Sequence, residues 1–160
     1  VILSQSGMSS RPDRGGMPLL DSLHVALELE IPSDVRYIER VVEVVTHQVS
    51  RLAYHPRQVT LNLPVALTEA LSNAILRGNA DVTQRRVRIR CDVNRERVIL
   101  EVVDEGSGFD LLACMQDPTS PENLVREDGR GLFLMARLMD RVESFTNHGN
   151  VVRMTLHRHD

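Results

Sequence analysis

The sequence contains no lysine: all 19 of its basic residues are arginine. That absence excludes a P-loop, whose lysine reaches the terminal phosphates of a nucleotide, and a protein kinase of the usual eukaryotic plan, which carries its lysine on a strand. Any nucleotide handled here must be held by other means. Tryptophan is also absent and aromatic residues make up 3% of the chain, which leaves little to stack on unpaired bases. A net charge of -3 and a pI near 6.1 argue against a phosphate backbone as partner, so no direct binding of nucleic acid is expected. The two cysteines, Cys91 and Cys114, lie too far apart for a CxxC motif. No uninterrupted apolar run reaches the roughly 18 residues of a membrane span. The opening residues, whose one apolar run is Val1-Ile2-Leu3, do not read as a secretory signal. The expectation is therefore a cytoplasmic protein with free thiols and no membrane partner.

What is present fits one domain. A chain of 160 residues with 42% hydrophobic content is large enough to bury about two thirds of the surface it exposes when unfolded. Residues 1–22, rich in Ser, Gly, Pro and Arg without periodicity, read as a flexible leader, and residues 23–160 as the domain. Leu23, Val25, Leu27, Leu29 and Ile31 alternate with polar or small residues as in a half-buried strand. Ser33 then reads as the cap of a helix carrying Val35, Ile38, Val41, Val42, Val45, Val49 and Leu52. After the polar His55-Pro56-Arg57, Pro64 suits the first turn of a second helix that ends near Gly78. Val87, Ile89, Cys91 and Val93 alternate with charged residues, and Val98 to Val103 is more apolar, which predicts an antiparallel hairpin turning at Asn94-Arg95-Glu96. Residues 105–128 form an unusually long connection. A third helix is predicted over Leu132 to Asp140, then a second hairpin, Val142 to Thr146 and Val151 to His157. This order suits an α+β fold of two layers, a mostly antiparallel sheet with helices on one face.

Three motifs carry chemistry. In EALSNAILRGN, residues 69–79, Glu69 and Asn73 fall about 40° apart on one face of the helix, roughly opposite the stripe of Leu67, Leu71, Ala74 and Ile75. A carboxylate and an amide so placed can take a proton from a hydroxyl and hold a hard cation; equally, they can be two polar residues on a wet face. In DEGSGFD, residues 104–110, Asp104 at a strand end could accept from an exocyclic amino group such as adenine's, with Gly106 and Gly108 letting the backbone approach a ligand. The same residues also suit a plain tight turn. In DGRGLFLM, residues 128–135, Gly129 and Gly131 precede a helix whose free N–H groups could bind phosphate without a lysine, or be no more than a glycine-rich helix entry.

In this order, with a lid-length loop between the last two, the motifs resemble the GHKL ATP-binding superfamily, named for gyrase, the heat-shock chaperone, histidine kinases and a mismatch-repair protein. Glu69 to Asn73 resembles its N box, Asp104 to Gly108 its first glycine box, and Gly129-Arg130-Gly131-Leu132 its second. The short length, EALSNAILRGN and GRGLFLMARLMD are similar to the bacterial anti-sigma-factor serine kinases, over roughly residues 23–157. Two positions depart from that pattern: Arg77 stands where many members have histidine, and His157 where a lysine is common.

The resemblance implies the Bergerat-type sandwich, ATP and Mg²⁺ as cofactors, Asn73 as the metal ligand, and Glu69 as general base towards a partner's serine. It also implies nucleotide contacts from Asp104, Gly106, Gly108, Gly129, Arg130, Gly131 and Leu132, Thr155 near the adenine, and a lid over residues 109–128. The implied partners are a STAS-type anti-anti-sigma protein and an RNA polymerase sigma factor, met through Arg40 and Arg36 on the first helix, with a homodimer as a further expectation. Two other functions share these motifs: a histidine-kinase catalytic fragment, for which His47 is the phosphoacceptor in reach, and a binding module without kinase activity. The terminal His157, His159 and Asp160 offer metal ligands, although frayed ends are more often solvated.

Overall fold

The computed structural model describes residues 2–4, 23–106 and 127–160. The leader assigned to residues 1–22, apart from residues 2–4, lies outside the described residues, as do Gly108, Cys114 and the expected lid up to residue 126.

Among the described residues six strands form one sheet in the order β1-β2-β3-β4-β6-β5, with every neighbouring pair antiparallel. They are β1 (Ile2–Ser4), β2 (Val25–Pro32), β3 (Arg86–Val93), β4 (Arg97–Asp104), β5 (Arg141–Thr146) and β6 (Asn150–His157). Both predicted hairpins form. Three helices among the described residues cover one face: α1 (Ile38–Ser50), α2 (Leu63–Asn73) and α3 (Glu127–Leu138). Period-2 alternation sends Leu27, Ile89, Cys91, Leu100, Val102, Met154 and Leu156 to the covered face, where they meet Val41, Val45 and Val49 of α1, Leu63, Leu67 and Leu71 of α2, and Leu132 and Met135 of α3. Helix α2 lies between the other two and packs on both. Truncating a wholly buried residue at its centre, such as Leu67, should cost about 2–5 kcal/mol.

The first helix starts differently from the sequence reading. Ser33 is fully buried, its Oγ has no hydrogen-bond partner, and its N–H donates to Arg85 O at 3.0 Å. The cap is Asp34, whose carboxylate accepts from Arg36 N at 2.9 Å and opens a 3-10 turn, Val35–Tyr37, ahead of α1. A side chain drawn inward to close the sheet edge cannot turn back on the helix, so the next polar residue does so.

The second helix is longer than predicted. It starts at Pro56, runs through a π-turn at Gln58–Asn62, the α segment, and a second π-turn at Ala74–Gly78. Pro64 is therefore internal rather than in the first turn. A proline inside a helix loses one amide bond and crowds the carbonyl four residues back. Here the preceding turn is already widened, with Leu63 N–H reaching Gln58 O five residues back. By length and composition Gln58–Gly78 could cross a bilayer. Leu63, Leu67, Leu71 and Ile75 are instead buried in the core of this domain.

Among the described residues the other sheet face carries no helix. Across it runs a register row of alternating charge, Glu28, Arg90, Glu101, Arg153 and Glu143. Glu101 takes both neighbours, with Arg153 at 2.6 Å and Arg90 at 3.6 Å, and the Arg153 guanidinium lies over the Phe145 ring at 4.6 Å.

Candidate functional site

Glu69 and Asn73 sit one turn apart on α2, but the face they share is not the wet one expected. Asn73 is buried, at 9% exposure, and Glu69 is half-buried, because α3 crosses directly above them. At the crossing is Gly131: a β-carbon there would stand 2.4 Å from Glu69 Oε2 and 3.6 Å from Asn73 Nδ2. The N box and the second glycine box are thus in contact, and the glycine is what permits the approach.

Helix α3 begins at Glu127, so Gly129 and Gly131 lie inside it rather than before it. The helix can include two poor helix formers because the close crossing at Gly131 requires one of them. The N–H groups of a helix's first turn have no intrahelical acceptors, an arrangement that suits an anion. Leu132 points into the core at 1% exposure and seats α3.

The Asn73 side chain carries a second signal. Its Nδ2 is buried without a hydrogen-bond partner. An unpaired buried amide costs about 1–3 kcal/mol, and the two ends of an amide are interchangeable by a flip. Asn73 therefore fits a bound oxyanion through its nitrogen or a hard cation through its oxygen.

The first glycine box lies at the other end of the same helix. Asp104, the last residue of β4, is 3% exposed, and its Oδ1 accepts from Gly106 N at 2.8 Å and from Asn150 Nδ2 at 2.9 Å. Asn150 also donates to Gly106 O. Oδ2 of Asp104 lies over Gly78, where an added β-carbon would come to 2.1 Å, and a β-carbon on Gly106 would strike Gly78 O. Gly149, at φ +132°, carries the β5–β6 turn over the carbonyl of Asp104. Helix α2 and its π-turn so align three features along one axis: Glu69, then Asn73, then the Gly78 seat of Asp104. Asn73 and Gly78 are about 7 Å apart along the helix, a separation suited to the phosphates and the base of one nucleotide.

Thr155 is not brought to this site. Register pairs Asn150 with Asp104, but Thr155 with Ile99 and Arg141, on the uncovered face and about 17 Å further along β6. Asn150 occupies the position beside Asp104 that the resemblance suggested for Thr155. A cleft of about 620 Å³ on that uncovered face, lined by residues that include Ala26, Glu28, Arg90, Ile99, Glu101 and Arg153, lies away from the motifs, and these four charged residues are ion-paired with one another.

Arg36 and Arg40 are well exposed at the start of the first helical segment. Arg36 is held by Asp34, whose carboxyl that guanidinium keeps below the usual carboxylate range, and Arg40 pairs with Glu43 at 2.6 Å. Val35 and Tyr37 beside them are also exposed. His47 lies exposed near the end of α1, a helix buried through Val41, Val45 and Val49 in this domain's own core. His157 and His159 both approach Asp140, at 3.5 and 3.6 Å. Among the described residues no group of three or more His, Cys, Asp or Glu stands ready to hold a metal ion.

Comparison with known proteins agrees with this geometry. Residues 31–156 match the family model described as a histidine kinase-like ATPase domain. The chain is 33% identical over 134 residues to the serine-protein kinase RsbW of Bacillus velezensis and 31% identical over 134 residues to that of Bacillus subtilis, covering in each case 81% of this chain and 83% of the relative. It is also similar to an anti-sigma F factor of Clostridium beijerinckii, with 29% identity over 97 residues, 59% of this chain and 67% of the relative.

Proposed function

Since the chain belongs to the histidine kinase-like ATPase family, and within it to the ATP-dependent serine kinases of anti-sigma type, we propose that it phosphorylates a STAS-type anti-anti-sigma protein on serine and sequesters an RNA polymerase sigma factor. The observation that supports this reading is the direct seating of Gly131 over Glu69 and Asn73, which brings a carboxylate, a buried amide and the first part of α3 together.

Glu69 takes the proton of the partner's serine hydroxyl as its oxygen bonds to the γ-phosphorus and the bond from that phosphorus to the bridging oxygen of ADP breaks. Asn73 would hold a magnesium ion through its oxygen, and the ion, when bound, neutralises charge on the phosphate oxygens. The free amides at the start of α3, with Arg130, would bind the phosphates, which offsets the missing lysine. Asp104 accepts from the adenine amino group, with Gly106 admitting the base.

Partners are expected at the first helical segment, where Arg40 and Arg36 lie beside the exposed Val35 and Tyr37. Arginine flanked by exposed apolar side chains is a common composition for a binding hot spot. A bacterial cytoplasmic location and a homodimer complete the proposal.

The test is calorimetric titration of ATP and ADP, with and without Mg²⁺, on the wild type, Asp104→Asn and Glu69→Gln, together with serine phosphorylation of the anti-anti-sigma partner. Binding should depend on Mg²⁺ and collapse in Asp104→Asn, whereas Glu69→Gln should bind ATP and lose transfer. No nucleotide binding by folded wild type would overturn the kinase reading and leave a partner-binding module.

A further inference from the structure

The residue that follows the second π-turn has no part in the chemistry above, yet it is among the most enclosed polar groups of the domain. Asn79 is 0% exposed and uses both ends of its amide. Its Oδ1 accepts from Glu105 N at 2.8 Å, and its Nδ2 donates to Arg86 O at 3.0 Å. Its own N–H reaches Ala74 O at 2.7 Å, five residues back, and closes the π-turn. Glu105 completes the link by accepting from Arg86 N at 2.7 Å. One side chain thus joins the end of the functional helix, the start of β3 and the end of β4.

The partner of Asn79 is the residue between Asp104 and Gly106. The same helix end supplies Gly78, which supports the Asp104 carboxylate from below and has room for no side chain on Gly106 above it. Beyond Asn79 the chain reverses through Ala80 at φ 52° and Asp81 at φ 56°, two successive non-glycine residues in the left-handed region. Backbone held in that region persists where its surroundings fix it, and here the Asn79 amide crosses the reversal to bond Arg86.

We propose that Asn79 is a positioning residue for base recognition: by anchoring the N–H of Glu105 it fixes the end of β4, and with it the direction of the Asp104 carboxylate. The proposal rests on the reading that Asp104 receives the adenine amino group. Adenine presents a donor at that position and guanine a carbonyl acceptor. A carboxylate held in place therefore favours ATP over GTP, and a carboxylate free to swing discriminates less. Asn79 touches no nucleotide in this scheme and acts only through the 104–106 segment.

The experiment measures the ratio of GTP to ATP dissociation constants for the wild type, Asp104→Asn, Asn79→Leu and Asn79→Asp, with thermal melting of each. Asn79→Leu keeps the bulk and removes both bonds, whereas Asn79→Asp keeps the acceptor for Glu105 N–H. The ratio should fall about tenfold or more in Asn79→Leu and recover most of its value in Asn79→Asp. A variant that is merely destabilised weakens both nucleotides by one factor and leaves the ratio unchanged, so an unchanged ratio in Asn79→Leu overturns the positioning role while a collapsed ratio in Asp104→Asn keeps the Asp104 reading. If Asp104→Asn itself leaves the ratio unchanged, the reading of Asp104 fails and the proposal with it. Should Asn79→Leu not fold, Asn79→Ala is scored by the same ratio, which does not depend on the folded fraction.

Discussion

Replacing Gly131 by alanine should separate catalysis from folding. A β-carbon at this position would stand 2.4 Å from Glu69 Oε2 and 3.4 Å from its Cδ, but 3.6 Å from Asn73 Nδ2. Close carbon–oxygen contacts settle near about 3.3 Å, so the Glu69 carboxylate must retreat by about 1 Å while Asn73 keeps its place. The retreat costs the fold little, because the obstructing atom is the end of a flexible side chain. Alanine is also preferred over glycine inside a helix by about 1 kcal/mol, so the melting temperature should hold or rise by about 2–4 °C. Catalysis should respond in the opposite sense, since a reacting group misplaced by 1 Å can lose about 100-fold in rate. The expected outcome is a roughly 100-fold slower serine phosphorylation with ATP affinity within about threefold of wild type. Single-turnover transfer to the partner protein, calorimetric ATP binding and scanning calorimetry together read all three quantities. Transfer at the wild-type rate by a folded Gly131→Ala protein would refute the reasoning. Glu69→Gln then locates the error: if it is inactive, the crossing at Gly131 does not position the base, and if it is active, Glu69 is not the base.

Two further outcomes concern stability. Ala80 sits at φ 52° without the freedom of glycine. Relief of that strain exceeds the entropy glycine adds to the unfolded chain, so Ala80→Gly should stabilise by roughly 0.5–1 kcal/mol, read as a higher denaturation midpoint; a lower midpoint would show the strain to be relieved elsewhere. Burial pushes the Cys91 thiol from its ordinary value near 9 up to about 12, so it should resist thiol reagents at pH 8 until the protein unfolds. Because the unfolded chain releases this proton first, stability is complete below pH 9 and falls as pH rises towards 12, by up to about 4 kcal/mol. Burial also raises the Tyr54 hydroxyl, which adds to the loss in the same direction. Cys91→Ala should flatten the slope of urea midpoint against pH between 9 and 12, and an unchanged slope would count against the thiol as its source.

The sheet was legible because alternation is a local property: Val87, Ile89, Cys91 and Val93 declare their face without knowledge of their neighbours. The helical spacing of Glu69 and Asn73, and the glycines near each end of the site, were legible for the same reason. Contacts between distant segments were not. That Asn150 rather than Thr155 faces Asp104 depends on the register between β4 and β6, and no single strand's pattern records a register. Glu69 and Asn73 looked solvated because their helix, read alone, has a polar side; only the crossing of α3 encloses it. Pro64 looked like a helix start because a π-turn, which absorbs a proline without ending the helix, leaves no clear mark on side-chain periodicity. Asn79 lies inside the EALSNAILRGN motif, but its partners are distant in sequence: Arg86 opens β3 and Glu105 follows β4.

The two π-turns that bracket α2 also govern which changes of length the protein can tolerate. Each amounts to one residue inserted into an α-helix, and each residue turns the helix by about 100°. Deleting one residue from 74–78 would restore a regular helix and leave Glu69 and Asn73 where they are. It would also swing Gly78 away from Asp104 and Asn79 away from Glu105, so the phosphate end would persist without its base end. Deleting one residue from 58–62 would instead set the whole Glu69 to Gly78 segment out of phase with the anchors of Gln58, whose side chain bonds the carbonyl of His157 at 2.6 Å. The interval between residues 69, 73 and 79 is therefore an angular relation as much as a distance. Relatives that retain the site should place their gaps in the flanking loops and keep this helix constant in length.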